Sequence, residues 1–166
     1  MKLLHITTTA ALLVCILVAR PIRAEARSVP TASARYAQIN REIGRCKVVK
    51  RDLEGYSSEG GTLRAYLLHG SPRKIVAHYY GAGGQAIEEY YFWNNRLFFV
   101  LRANFTYQEP LSKLRRSGEH RFYFSNGKLV RWQKDRNLMT LPSQEAKDYE
   151  ESTLLLAREF LQKVRS

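Results

Sequence analysis

Glu89-Tyr-Tyr-Phe-Trp-Asn-Asn-Arg-Leu-Phe-Phe99 is the stretch that decides the fold, and it returns in altered form as Arg121-Phe-Tyr-Phe-Ser-Asn-Gly-Lys-Leu-Val-Arg131. In each, apolar runs flank Asn-Asn or Asn-Gly, the residue pairs that tolerate positive φ at both centres of a type I′ turn. Two β-hairpins are therefore expected, written in one local grammar.

A two-residue turn also fixes register. Around Asn94-Asn95 the expected partners are Trp93 with Arg96, Phe92 with Leu97, Tyr91 with Phe98 and Tyr90 with Phe99. One face then carries Tyr90, Phe92, Leu97, Phe99 and Leu101, and the other Tyr91, Trp93, Arg96, Phe98, Val100 and Arg102. Around Asn126-Gly127, Phe122, Phe124 and Leu129 share one side, with Arg121, Tyr123, Lys128, Val130 and Trp132 on the other. In this register Arg121 lies opposite Trp132, close enough for a cation over the indole.

Outward from these hairpins, Lys128 to Lys134 follows Glu119 to Ser125, and Arg96 to Thr106 follows Ala86 to Trp93. Upstream, Thr62 to Leu68 and Lys74 to Tyr80 are rich in strand formers and flank the turn chemistry of His69-Gly-Ser-Pro-Arg73. Gly81-Ala-Gly-Gly84 joins strand to strand. It offers no helix N-terminus to a phosphate, so no nucleotide cofactor is expected. The ends read as helices. Tyr36, Ile39, Ile43, Cys46, Val49 and Leu53 recur at steps of three and four, and so do Tyr149, Thr153, Leu156, Phe160 and Val164 behind an N-cap at Ser143. The expected class is α+β: a six-stranded antiparallel meander flanked by an N-terminal and a C-terminal helix, both on the more aliphatic sheet face.

The N-terminus has the order of a secretory leader: Lys2, an apolar run from Ile6 to Ala19, then Arg20-Pro21 and the small-residue triplet Ala24-Glu25-Ala26. The run is shorter than the ~20 residues that span a bilayer. Residues 1–26 are accordingly expected to be a signal peptide, with a retained anchor as the alternative, 27–34 a flexible tail and 35–166 one domain, periplasmic or secreted and without a transmembrane span after cleavage. The 166 residues carry a net charge of +12, and loss of residues 1–26 removes three basic residues and one acid. A charge of this size points to an anionic partner. Export favours an anionic envelope component or an acidic protein over nucleic acid. With Cys46 alone after cleavage, no internal disulfide is available and the core must hold the fold.

The expected contact surface is the aromatic face framed by basic residues: Tyr91, Trp93, Arg96, Arg102, Arg121, Tyr123 and Trp132. Chemistry has less support. His69, His78 and His120 lack the spacing of a metal site, and the adjacent Glu88 and Glu89 of one strand point to opposite faces. The main expectation is thus a binding protein and not an enzyme. A hydrolytic enzyme using His78, His120 and a strand glutamate, and a structural or assembly protein without a small ligand, are the alternatives.

The order Glu59-Gly-Gly-x-Leu-x-Ala-Tyr66, Arg73-Lys-Ile-x-x-x-Tyr-Tyr-Gly81, Glu89-Tyr-Tyr-Phe and Arg121-Phe-Tyr-Phe-x-Asn-Gly-Lys-Leu-x-Arg-Trp132 resembles a group of exported bacterial proteins of uncharacterised function, over residues 35–165. The hairpins are also similar to the Tyr-Phe-x-Asn-Gly-x-Leu units of MORN-like repeats. Neither resemblance implies catalytic residues.

Overall fold

The structure, a computed structural model, describes residues 22–108 and 113–165. Helix α1 (Ile22–Glu42) leads through a single 3-10 turn (Ile43–Arg45) into eight strands. These are β1 (Lys47–Asp52), β2 (Gly61–Leu68), β3 (Ser71–Gly81), β4 (Gly84–Trp93), β5 (Arg96–Gln108), β6 (Lys113–Ser125), β7 (Lys128–Lys134) and β8 (Asn137–Leu138). Helix α2 (Gln144–Arg165) follows. All strands are antiparallel and lie in sequence order in one sheet. The α+β meander with a helix at either end is as expected, but eight strands replace six.

The six expected strands are β2 to β7. The extra pair comes from two places. Residues 47–52, expected to continue the first helix, are β1. The apolar spacing runs on through Gly44, but the β-branched Val48 and Val49 pair with Tyr66 and Ala65, and ladder hydrogen bonds outweigh the weak helical preference of such residues. The two-residue β8 pairs Leu138 with Gln133 and Asn137 with Lys134. The expected flexible tail is also corrected. Residues 27–34 belong to α1 with Pro30 inside the helix, because Val29 and Ala32 pack against the sheet and offset the bond that Pro30 cannot make. The expected cleavage triplet lies in the first turns of α1. Most of the expected signal peptide lies outside the described residues.

Three hairpins share one construction. The central turn pairs His69-Gly70, Asn94-Asn95 and Asn126-Gly127 all have positive φ, between 48° and 77°. Each turn is followed on its second strand by one unpaired extra residue, Arg73, Phe98 and Val130 respectively. A one-residue bulge shifts every later side chain to the other face. Beyond the bulges Tyr91 pairs with Phe99, Tyr90 with Val100 and Phe122 with Trp132. The plain two-residue register expected from the turns therefore holds only as far as Leu97 and Leu129.

The bulges align. Val49, Ala65, Ile75, Tyr90, Val100, Phe122 and Trp132 form one row across β1 to β7, and α2 seals it with Ala146, Ala157, Phe160 and Val164. The neighbouring row, Val48, Tyr66, Lys74, Tyr91, Phe99, Tyr123 and Arg131, faces the other way, with a tyrosine opposite every bulge. There α1 packs Ala32 and Ile39 onto Tyr91, Phe98, Phe99 and Tyr123. The two helices thus cover opposite faces of the sheet, not one face as expected. Each helix needs an apolar floor, and the bulges move Phe99 and Leu101 to the α1 side to supply the second one. At the start of α2, Ala146 N–H donates to Ser143 Oγ at 3.2 Å, the expected N-cap.

Candidate functional site

The site is built at the turn end of β4. Trp93 is the last residue of that strand, and the bulge in the neighbouring hairpin puts Arg73 on the same side of the sheet. The Arg73 guanidinium carbon lies 5.4 Å from the Trp93 ring centroid. From above, α1 contributes Arg35, whose guanidinium carbon is also 5.4 Å from Trp93 and 5.9 Å from Phe98. Contacts of this kind contribute about 0.5–1 kcal/mol each where exposed. Their larger effect is to hold two flexible guanidinium groups in place.

Arg35, Trp93, Arg96, Phe98, Phe124 and Asn126 line a cavity of about 500 Å³ here. Among the described residues, none of Arg35, Arg73 and Arg96 pairs with a carboxylate. Four acids are engaged elsewhere: Glu89 with Lys74 at 2.8 Å, Glu88 with Arg102, Glu119 with Arg116 and Arg121, and Glu150 with Lys128. The Nε of Arg73 is moreover buried without a hydrogen-bond partner. An unmade bond of that kind costs about 1–3 kcal/mol. Two cations over one indole, with Arg96 on the wall of the adjoining cavity, can therefore accept an anion, and the Nε of Arg73 is already withdrawn from water.

The other expected contact residues do not all join this cluster. Tyr91 is on the same face but fully buried; its hydroxyl donates to Glu89 at 2.7 Å and lies 3.4 Å from Asn40 Oδ1. Burial, then the Glu89 carboxylate, push its pKa well above the ordinary tyrosine value. Tyr91 is a post inside the α1 layer and not a contact residue. Arg121 and Tyr123 line a second cavity of about 260 Å³ with Tyr36, Phe99 and Leu101, between α1 and the sheet. There the Arg121 guanidinium is held by Glu119, which Arg116 shares.

Arg102 and Trp132 are on the opposite face. The bulge at Val130 reverses Trp132, which is 1% exposed, stacks near Phe122 and Tyr149, and donates its indole N–H to His120 Nδ1 at 3.3 Å. The bulge at Phe98 reverses Arg102, whose Nε sits 3.4 Å from Glu88 Oε1. Tyr79 and Tyr90 hydroxyls donate to the other oxygen of Glu88 at 3.1 and 2.5 Å. A seven-residue contact surface on one face is thus corrected. Arg121 pairs with Gln133, not Trp132, in the ladder.

The alternative catalytic set is also divided. His78, with its Nε2 2.7 Å from Gln85 Oε1, is on the α1 side, while His120 is on the α2 side. Glu88, Arg102 and His120 do form one row across β4, β5 and β6. Burial, and then Arg102 and Lys134, lower the pKa of His120.

Sequence reasoning located Trp93 and Arg96 but missed Arg35 and Arg73. A signal for Arg73 existed: Tyr66, Tyr91 and Tyr123 each precede a turn pair by three positions, which marks His69-Gly70 as a third copy of the hairpin grammar. Nothing local marks Arg35. No protein family, curated protein or solved structure matches this chain.

Proposed function

We propose that the chain is an exported, basic binding protein of the bacterial envelope, periplasmic or secreted, that takes an anionic ligand at the Trp93 cluster. One observation carries this reading: Arg35 and Arg73 lie over one indole, Arg35 and Arg96 line the cavity beside it, and among the described residues none of the three is paired with a carboxylate. With two guanidinium groups already on it, the indole serves to hold the arginines. The arginines meet the ligand. Guanidinium forks match carboxylate and phosphate oxygens two at a time, and prior ordering of the side chains lowers what binding must supply. An anionic envelope component, such as a carboxylate- or phosphate-bearing polysaccharide, fits this chemistry, and acidic side chains of a protein partner present the same groups.

Support for export is the leader-like order of residues 1–26. No helix among the described residues is long and apolar enough to cross a membrane. The test is retention of the purified chain on envelope fractions at low salt. Arg35→Glu with Arg73→Glu is expected to abolish retention, while Lys147→Glu with Arg158→Glu, an equal charge change on exposed α2 positions, preserves it. Equal losses in both would reduce the effect to net charge and end the proposal.

A further inference from the structure

The long hairpin of β5 and β6 carries a separate surface that the Trp93 cluster does not use. Strand β6 begins at Lys113, but β7 pairs with it only from His120 onward. At the junction Asp135 N–H donates to the Glu119 carbonyl at 2.7 Å, and Glu119 N–H donates to Asp135 Oδ1 at 2.9 Å. This closes the ladder. Residues 113–116 and Gly118 are paired with β5 along one edge, with Ser117 a one-residue bulge, and among the described residues no strand occupies the other.

That open edge is long, wet and basic. Residues 113–117 are all exposed, with Leu114 at 42%. Lys113, Arg115 and Arg116 lie along it, and Arg136 stands across a groove of about 660 Å³ that begins at Arg116 and Gly118. Glu119, the nearest acid on the strand, is shared by two arginines. Unpaired backbone groups on an edge are a template for another strand, and the side chains beside them select which one. A second copy of this edge would set lysine and arginine against themselves, which opposes pairing. An acidic strand meets the opposite situation.

We infer that residues 113–118 dock an extended acidic peptide segment of a partner protein, which joins the sheet as a further strand. Its backbone pairs with the open edge of β6. Its carboxylates meet Arg116 and Arg136, on the side that Arg116 shares with Leu114 by strand alternation, and Arg115 on the other. None of these residues lines the Trp93 cavity, so the two surfaces fail or succeed independently.

The test uses a short fluorescein-labelled peptide of alternating glutamate and valine, and the same peptide with every backbone amide N-methylated. Charge and side chains are equal in the two; the second has no backbone N–H donors and cannot approach the edge as a strand. Anisotropy titrations with the full chain at low salt are expected to show saturable binding of the first peptide and at least about tenfold weaker binding of the second, a difference of about 1.4 kcal/mol. Arg115→Glu with Arg116→Glu is expected to weaken the first peptide comparably, and Lys147→Glu with Arg158→Glu, an equal charge change on exposed α2 positions, to leave it unchanged. Equal affinity for both peptides would mean charge alone attracts them and would overturn the docking of a strand. So would absence of saturable binding, or a loss in Lys147→Glu with Arg158→Glu matching that in the β6 variant. The peptide comparison on the unaltered protein stands even if a variant folds poorly.

Discussion

Replacing Trp132 by alanine separates the bulged hairpin from the plain one. In the plain register Trp132 would share a side with Arg121 and sit near solvent. Removing it there would cost about 0.5–1 kcal/mol of cation–π contact. In the observed register Trp132 is 1% exposed at the end of the row sealed by α2, with ring centroids of Tyr149, His120 and Phe122 within 6.0 Å. Truncating a buried tryptophan costs about 3–5 kcal/mol, and about 1 kcal/mol more is at stake in its bond to His120. Against the roughly 5–15 kcal/mol that separates folded from unfolded chains, this is a large share. Urea unfolding followed by far-ultraviolet circular dichroism is the assay, with the slope unchanged and the midpoint falling. A loss below about 1 kcal/mol would refute the bulge at Val130 and the reasoning built on it. A check independent of stability is available because Trp93 and Trp132 are the two tryptophans of the chain. In Trp93→Phe the remaining emission is expected to be blue-shifted and resistant to iodide.

Three further outcomes follow from particular contacts. Gly61→Ala would bring a Cβ to 2.3 Å from the His78 carbonyl oxygen, a backbone atom that cannot step aside; a loss of about 1–3 kcal/mol in urea unfolding is expected. His120 has a lowered pKa in the fold, from burial first and then from Arg102 and Lys134, with Asp135 and Glu145 opposing. The unfolded chain therefore binds the proton first, and stability should fall as pH drops below the ordinary value of 6.5 until the lower folded value is passed. Thermal unfolding across this window should lose that slope in His120→Gln. Asn126 has φ of 51°, and Asn126→Ala places a residue without a local hydrogen-bonding side chain in that left-handed conformation; about 1 kcal/mol of destabilisation is expected by the same measurement.

The turns were legible because Asn-Asn and Asn-Gly have few other uses between apolar runs, and six strands followed from them. The bulges were not legible, and the reason is physical. From Leu97 to Leu101 every residue is apolar, so alternation offers no contrast by which to see that Phe98 and Phe99 share a face. Val130-Arg131-Trp132 is as uninformative, since the arginine stem and the tryptophan each suit either side. One unseen residue per hairpin was enough to turn Arg102 and Trp132 to the α2 side and divide the expected contact surface. The first helix was overextended for a related reason: Ile39, Ile43, Cys46, Val49 and Leu53 keep helical spacing through Gly44, whereas the ladder with β2 decides the outcome. Within the site, Trp93 and Arg96 were visible from their turn. Arg35 comes from a segment whose start was expected to be a tail, and its approach to Trp93 depends on the packing of Ala32 and Ile39 onto the sheet.

The most direct test of the central claim is the emission of Trp93 in a Trp132→Phe protein shown to be folded, titrated with oligogalacturonate, a chain of sugar carboxylates, and with an uncharged maltooligosaccharide. An anion taken by arginines held at 5.4 Å from the indole changes the electric field at the ring, so a saturable change is predicted with the acidic chain alone, and its loss on adding Arg35→Gln and Arg73→Gln. No change with the acidic chain, an equal change with the neutral one, or a response that survives loss of both guanidinium groups would contradict an anion site at Trp93.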